Sequence, residues 1–243
     1  PADANAVDSL LGAIAGARVE RKLEEGAKNA AQYGLSDPRV RLNLTADKEK
    51  ACVLLGADDY TGNQVYLQVE GSADVYLTSD TLFTSADKEL KDWRSRKVLG
   101  FDRAQVQNVE INRPGEVVRL KREGEKWRLE SPVQEQADES TVSSLLSTLE
   151  FAEAQRFVAE QPQDLKGYGL DSPAVFVRLR EQGKDSWKTL QLGRKEEDLY
   201  LARDTDRTPV FAVKAEVYEK LTQKVWEFRD KSVVDVDQDE VSE

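Results

Sequence analysis

The side chains that most often perform catalysis or bind metals are scarce in this sequence. It contains no histidine and a single cysteine, Cys52. Histidine is the commonest general base and the commonest metal ligand, so Ser-His and Cys-His nucleophile arrangements are excluded. One cysteine also excludes an intrachain disulfide. Carboxylate or Ser-Lys catalysis remains formally open, and the sequence predicts neither a cofactor nor a bound transition metal.

Two tyrosines begin two nearly identical loops. Tyr33 is followed by Gly-Leu-Ser-Asp-Pro, and Tyr168 by Gly-Leu-Asp-Ser-Pro. Their rings could stack on a ligand, which would make two equivalent ligand-binding sites. The alternative is a structural plug, in which the tyrosine and leucine pack against a sheet while the glycine allows the turn. A glycine and a proline within one short loop usually indicate a structural turn, so the plug is favoured.

Two arginines, Arg94 and Arg229, also occupy corresponding positions. Each could bind an anion or the carboxylate of a partner through the fork of its guanidinium. The alternative is an ion pair within the domain, with Asp37 or Asp171 as the suggested partner. A partly buried arginine is usually paired, so the ion pair is the favoured interpretation.

Two acidic groups are weaker candidates. Asp58 and Asp59 could act as paired carboxylates, but they lie near Gly62 between predicted strands, which favours a hairpin turn. The acidic residues of segment 235–240 resemble the start of a calcium loop. An EF-hand needs glycine at the sixth position, which Glu240 occupies. A solvated acidic tail is therefore favoured.

The tyrosine and arginine candidates come in pairs because the sequence is duplicated. The loops at 33–38 and 168–173 lie 135 residues apart. A period this long indicates duplication of a whole domain rather than a solenoid. The offset of 135 also relates Ala2-Asp3 to Ala137-Asp138, Val7 to Val142, Leu10-Leu11 to Leu145-Leu146, Ala17 to Ala152, and Trp93-Arg94 to Phe228-Arg229. Small insertions interrupt this register in the strands, where 65–67 is matched with 199–201.

Each copy is predicted to contain two helices and four strands. Apolar residues at helical spacing predict a first helix after Asp3 and after Asp138, and a second over 82–90 and 217–225. Short apolar runs separated by Gly, Asp and Lys predict antiparallel strands. The predicted strands are 40–44, 51–55, 65–69 and 75–78 in the first copy, and 175–180, 189–192, 199–203 and 210–213 in the second.

A different pattern lies between the copies and predicts a three-stranded meander over 106–111, 117–122 and 126–130. The predicted fold class is α+β, a tandem duplication of a unit in which a mostly antiparallel sheet is covered by two helices. The predicted domains are a first repeat, 1–103, without an opening meander, and a second repeat, 104–234, with the meander 104–131. The acidic tail 235–243 could start a further unit.

Charge and hydropathy narrow the possible partners. The chain carries 35 Lys and Arg against 46 Asp and Glu, a formal charge of −11. This balance argues against nucleic acid and against direct binding to an anionic membrane. No apolar run reaches the roughly 20 residues that span a bilayer. Methionine is absent even at position 1, which suggests an excised or processed segment.

The ordered set of motifs resembles the DUF4340 family of bacterial proteins. It comprises the helix start at Pro132, Ala137 and Asp138, the Tyr-Gly-Leu loops, the Leu-Gly strand ends and the close at 228–231. The last segment of the first copy differs from the family pattern, since it reads Trp-Arg-Ser-Arg from Trp93. The resemblance covers nearly the whole chain twice. It implies an N-terminal membrane helix, an extracytoplasmic location and an association with ABC transporters of the gliding-motility type, and it supplies no catalytic residues.

The expected function is a non-enzymatic, extracytoplasmic protein-interaction or scaffold module, with a membrane-associated protein as partner. A carrier or sensor of a small molecule or lipid is the alternative, and a deep apolar pocket would favour it. A carboxylate-based hydrolase is the third possibility, and facing acids with one perturbed pKa would favour it. For an interaction module, recurring positions should be core and turn residues, while working surface residues should differ between the copies.

Overall fold

A computed structural model describes residues 1–23, 28 and 30–232. The chain divides into two compact units, Pro1–Ser95 and Arg96–Glu243. Within the described residues, each unit contains one antiparallel sheet and few helices. The predicted α+β class is therefore confirmed.

The first unit begins with helix α1, Ala4–Gly16, because the Asp3 carboxylate accepts a hydrogen bond from Ala6 N at 2.9 Å. Its sheet has the order β1-β5-β4-β3-β2, with antiparallel neighbours throughout. A short helix, α2, Thr81–Ala86, follows the last strand. The strands are β1 Val19–Leu23, β2 Val40–Ala46, β3 Glu49–Asp58, β4 Gln64–Val69 and β5 Val75–Ser79.

The second unit begins with the predicted meander, β6 Val106–Arg113, β7 Glu116–Glu123 and β8 Lys126–Ser131, followed by the short β9, Glu135–Gln136. Helix α3, Glu139–Glu150, is capped by Asp138, which accepts a hydrogen bond from Thr141 N at 2.7 Å. The remaining elements are β10 Arg156–Ala159, β11 Val175–Glu181, β12 Lys188–Glu196, β13 Leu199–Asp204, β14 Val210–Lys214 and α4 Ala215–Leu221.

The two sheets repeat the same strand order. In the second unit the described strands run β10-β14-β13-β12-β11-β6-β7-β8-β9, and the first five match β1-β5-β4-β3-β2. The cross-strand pairs repeat as well, since Tyr66 lies opposite Leu77 and Leu201 opposite Ala212. Both pairs keep the offset of 135. The duplication is thus confirmed, whereas matching 65–67 with 199–201 is wrong by one residue.

Two predicted details are wrong. Each repeat has a fifth strand, β1 or β10, directly after its first helix. The side chains of β1 are mostly exposed and show no apolar alternation, so pairing with the edge of β5 forms this strand. The closing helices are also shorter than predicted, since α2 ends at Ala86 and α4 at Leu221. Leu90 is 84% exposed.

The units divide at 95/96, earlier than the predicted boundary at 103/104. Residues 96–103 belong with the second unit because Val98 and Leu99, 0% and 2% exposed, lie in its core. Arg96 Nε also donates to Ala154 O at 2.8 Å. The meander joins the second sheet through pairing of β6 with β11. The predicted tail 235–243 lies outside the described residues.

Candidate functional site

The Tyr-Gly-Leu loops lie against the sheets of their own units. Tyr33 is half-buried, and its ring centroid is 4.4 Å from that of Tyr66. Tyr168 is also half-buried, next to the fully packed Leu170. The second loop packs on a small cluster of Leu201, Val210 and Ala212. These side chains lie on the sheet face that points away from helix α3, since the neighbouring residues Ala202, Phe211 and Val213 belong to the core that contains α3. These contacts are those of a plug, and stacking on a ligand stays a hypothesis.

Close backbone packing holds each loop in place. Gly34 and Gly169 have φ of +68° and +67°, which side-chain-bearing residues rarely adopt. The strand glycines Gly56 and Gly193 lie against the backbone of Tyr33 and Tyr168, respectively. A Cβ at either glycine would collide with the carbonyl oxygen of that tyrosine. Both Leu-Gly pairs lie within strands β3 and β12 rather than at the strand ends that the sequence predicted. Their glycines are needed for the loops to dock.

Arg229 forms an ion pair, although with a different partner from the one suggested. Its Nε and Nη2 donate to the two carboxylate oxygens of Glu135 at 2.5 and 2.8 Å. Its backbone pairs with Ala137, directly before helix α3. Arg94 pairs through its backbone with Ala2 in the same way. Both arginines thus lie where the closing segment meets the start of the first helix, and anion binding by either stays a hypothesis.

The acidic pair Asp58 and Asp59 forms the predicted turn. Asp58 ends β3 and pairs with Arg39 Nη2 at 2.5 Å. Burial raises the pKa of Asp59, but hydrogen bonds from the Thr61 hydroxyl and from the backbone N–H groups of Thr61, Gln64 and Gly62 outweigh it and lower that pKa. The Asp59 carboxylate is thus engaged in the turn, and that of Asp58 in an ion pair with Arg39. The acidic segment 235–240 lies outside the described residues.

A charged ladder crosses the outer face of the second sheet. Glu110 on β6 lies opposite Arg119 on β7 and Arg178 on β11. Its carboxylate accepts from Arg178 Nη2 at 2.9 Å, Arg119 Nε at 3.1 Å and Asn112 Nδ2 at 2.8 Å. Burial raises the pKa of Glu110, but the hydrogen bonds from Arg178, Asn112 and Arg119 outweigh it and lower that pKa to about 2. The carboxylate is therefore charged at neutral pH.

An aromatic side chain extends this ladder. The ring of Trp187, half-buried in the loop between β11 and β12, lies 4.6 Å from Arg178 Cζ and 5.1 Å from Arg180 Cζ. Arg180 also donates to Asn108 Oδ1 at 2.8 Å. The side chains of Arg119 and Arg178 remain 52% and 38% exposed. The result is a surface of arginines around a tryptophan, here called the Arg–Trp surface.

Sequence reasoning did not identify the Arg–Trp surface. Its arginines alternate with core residues along the strands, as Arg178 does with Val177 and Leu179. That alternation was a usable signal for an outward-facing row. The partnership with Glu110 was not visible, because it joins strands 68 residues apart in the chain.

Both repeats form a groove at the same place, between the first helix, the last strand and the second helix. In the first repeat its volume is about 530 Å³, with Gly12, Gly16 and Leu82 in the lining. In the second it is about 390 Å³, with Phe151 and Lys214 in the lining. Each lining residue of the second groove matches one of the first at the offset of 135. The fold therefore builds the groove, and the side chains differ.

A second charged cluster holds the segment that precedes the meander. Burial raises the pKa of Asp204, which lies 3.4 Å from Arg207 Nε. Arg207 Nη2 donates to Lys97 O at 2.9 Å. Glu181 accepts from Asp102 N at 3.0 Å and pairs with Lys184 at 2.7 Å. These contacts attach residues 97–102 to the end of the second sheet.

In the part of the chain that the structure describes, no three His, Cys, Asp or Glu side chains cluster as a metal site requires. None of the described helices is long and apolar enough to cross a membrane.

The fold and these surfaces define a tandem α+β repeat protein. A family model described as "Domain of unknown function (DUF4340)" matches residues 1–136 and again 127–243. The chain therefore belongs to the DUF4340 family, which confirms the resemblance found in its motifs. Neither the curated proteins nor the solved structures gave a match.

Proposed function

We propose that this chain is a non-enzymatic protein-interaction module that binds its partner through the Arg–Trp surface of the second repeat. The wider proposal follows the family resemblance. It places the module on the extracytoplasmic side of a bacterial membrane, anchored by an N-terminal helix. The partner is then a membrane-associated protein, such as a component of an ABC transporter.

The observation that carries this proposal is that the surface belongs to one repeat only. Trp187 lies in a loop, 182–187, where the first repeat has the two-residue turn Asp47-Lys48. Residues needed by the fold recur in both copies, as the Tyr-Gly-Leu loops do. Arg178 and Arg180 instead correspond to Asn43 and Thr45 at the offset of 135.

The chemistry of the surface suits a protein partner. Tryptophan and arginine are enriched among the residues that contribute most to binding at protein interfaces. Glu110 already neutralises part of the charge of Arg178 and Arg119 and holds both side chains in place. Arg180 and Trp187 then offer donors and an aromatic face, which suit a partner that presents carboxylates beside apolar groups.

The double variant Trp187→Ala, Arg180→Ala tests the proposal. The full-length anchored protein serves as bait in membrane extracts of its own organism, with neighbouring transporter components as the candidate partners. We expect capture of the partner to weaken about tenfold or more, because truncating such residues typically costs over 1 kcal/mol each. The thermal transition monitors folding of the variant.

The matched control changes an arginine and an aromatic residue of the first repeat, Arg41→Ala with Tyr60→Ala. Tyr60 is 97% exposed, and Arg41 pairs at the surface with Glu70. This control should retain capture. If both double variants capture the partner as well as the parent protein does, the Arg–Trp surface is not the binding site.

The carrier alternative rests on the groove of the first repeat, where small side chains leave space. Gly16 corresponds to Phe151 of the second repeat, and a Cβ at Gly16 has no neighbour within 4 Å. Gly16→Phe is therefore expected to narrow the groove towards the smaller volume of the second repeat, without a clash at its Cβ. Saturable binding of a fluorescent fatty acid that this substitution abolishes would favour a carrier, and no binding by the parent protein would count against it.

The hydrolase alternative has less support. Asp204 has the raised pKa that acid catalysis requires. However, its carboxylate accepts from Asp206 N at 3.1 Å and lies beside Arg207, which binds the segment before the meander. These contacts are those of a structural anchor.

A further inference from the structure

The first repeat leaves open a sheet edge that the second repeat covers. Within the described residues, β2 pairs on one side only, with β3. Its counterpart β11 pairs on both sides, with β12 and with β6 of the meander. An unpaired strand edge presents a row of backbone N–H and C=O groups to which another strand can add.

Apolar side chains beside this edge are incompletely buried. On β2, Leu44 is half-buried, whereas its counterpart Leu179 is 0% exposed. On α1, Leu11 is 54% exposed, whereas its counterpart Leu146 is 3% exposed. Among the described residues, β2 and α1 of the first repeat are therefore less covered than their counterparts in the second repeat. The same difference holds for Val7, Leu10, Ile14, Val40 and Leu42, which are half-buried, against Val142, Leu145, Leu149, Val175 and Val177, which are 0% exposed.

The second repeat shows what covers these positions. Val109 and Ile111 of β6 lie opposite Leu179 and Val177 of β11 and share one apolar core with helix α3. The far side of the meander also contacts α3, since Trp127 N donates to Glu139 Oε1 at 2.5 Å. The meander thus supplies both the neighbouring strand and the cover of the first helix.

We propose that the first repeat is a receptor for a β-meander of the kind formed by residues 106–131. The added strand runs antiparallel to β2, with its core-facing residues opposite Leu42 and Leu44, and the meander covers the exposed face of α1. The occupant is the meander of another DUF4340 repeat, because a meander of this kind is seated on the equivalent surface of the second repeat. This surface shares no residue with the Arg–Trp surface, so the two proposals are tested independently.

The test joins a second copy of residues 104–135 to the full chain, directly before Pro1. In the second repeat these residues precede Gln136, the counterpart of Pro1 at the offset of 135, so the junction reproduces an existing connection. Hydrogen exchange of the β2 amides is compared with that of the parent chain. We expect the β2 amides that do not bond to β3 to exchange at least tenfold more slowly, with a higher thermal transition.

The matched control is the same extension with Val109→Asn and Ile111→Asn in the added copy, which keeps its length and charge but removes the apolar face. It should leave β2 exchange as in the parent chain. Amides of β12 report that the second repeat is folded in every variant.

Three outcomes decide the matter. Slower exchange with the intact extension and not with the control supports the proposal. Equal exchange in all three proteins overturns it. If β2 of the parent chain is already protected at high concentration and becomes exposed on dilution, a second copy of this chain occupies the edge in the unextended protein, which overturns the meander assignment.

Discussion

The ladder around Glu110 shows how a buried carboxylate is kept charged. Removal from water alone would favour its neutral form. Two guanidinium groups and an amide donate to it, and their combined effect outweighs burial. Such a group makes the stability of the second unit depend on pH at acid values.

We therefore expect acid to weaken the second unit through Glu110. Its pKa is about 2 in the folded protein, against an ordinary value of 4.5. Because the folded pKa is the lower one, the stabilisation is complete above pH 4.5 and is lost as pH falls towards 2. Its upper limit is about 3 kcal/mol. Denaturant unfolding of the parent protein and of Glu110→Gln should differ at pH 7 and converge near pH 2.

The control for this experiment is Glu70→Gln, which removes the exposed pair with Arg41 in the first repeat. Exposed pairs contribute only about 0–1 kcal/mol. If the free energies of unfolding of Glu110→Gln and of the parent protein differed by the same amount from pH 7 to pH 2, the prediction would be contradicted.

The loop tyrosines should contribute to stability. Tyr168→Ala and Tyr33→Ala each remove a half-buried ring that packs on the sheet. We expect a loss of about 1–3 kcal/mol in each unit by denaturant unfolding, less than for a fully buried ring. Tyr60→Ala, at a ring that is 97% exposed, should change little. Unaltered unfolding of both loop variants would instead favour exposed rings that stack on a ligand.

Among the elements, the loop and the strand that it docks on form one packing unit. The Tyr-Gly-Leu loop turns through a glycine with positive φ and places a carbonyl against a second glycine on the neighbouring strand. The same arrangement appears in both repeats, so it belongs to the fold. A glycine is required by the fold only where a Cβ would meet neighbouring backbone, as at Gly56 and Gly193.

Alanine substitutions should separate these glycines. Gly193→Ala and Gly56→Ala place a methyl group on a tyrosine carbonyl oxygen, which is backbone and cannot move aside. We expect each to lower stability by about 2–4 kcal/mol. Gly12→Ala, in α1 with open space around the new methyl, should raise stability by about 0.5–1 kcal/mol. Thermal unfolding measures all three, and equal effects would contradict the packing argument.

For the whole molecule, the division at 95/96 has a consequence for folding. The segment before the meander contributes buried Val98 and Leu99 and several hydrogen bonds to the second unit. A boundary placed at 103/104 would remove all of these.

Two fragments test the division. Residues 96–232 should unfold in one cooperative transition. Residues 104–232 should melt at a clearly lower temperature, because the loss of Leu99 alone should cost about 2–5 kcal/mol, as for other buried leucines. Calorimetry of both fragments measures the difference, and equal transitions would show that the segment is dispensable.

Sequence alone was sufficient for features that depend on neighbouring residues. Alternation of apolar residues placed the strands of the meander to within a few residues, and the spacing after Asp3 and Asp138 located both first helices. The duplication was visible because one offset holds along both copies. These signals arise from side-chain direction and turn chemistry, which act within a few residues of each other.

Only the tertiary structure decided features that join distant parts of the chain. Strand β1 has no apolar alternation and forms because β5 offers an edge. Glu135, rather than an aspartate of the loop, pairs with Arg229 from 94 residues away. Glu110 meets Arg178 only after β6 pairs with β11. Such contacts depend on which strands become neighbours, and that choice rests on burial summed over the whole sheet rather than on any local pattern.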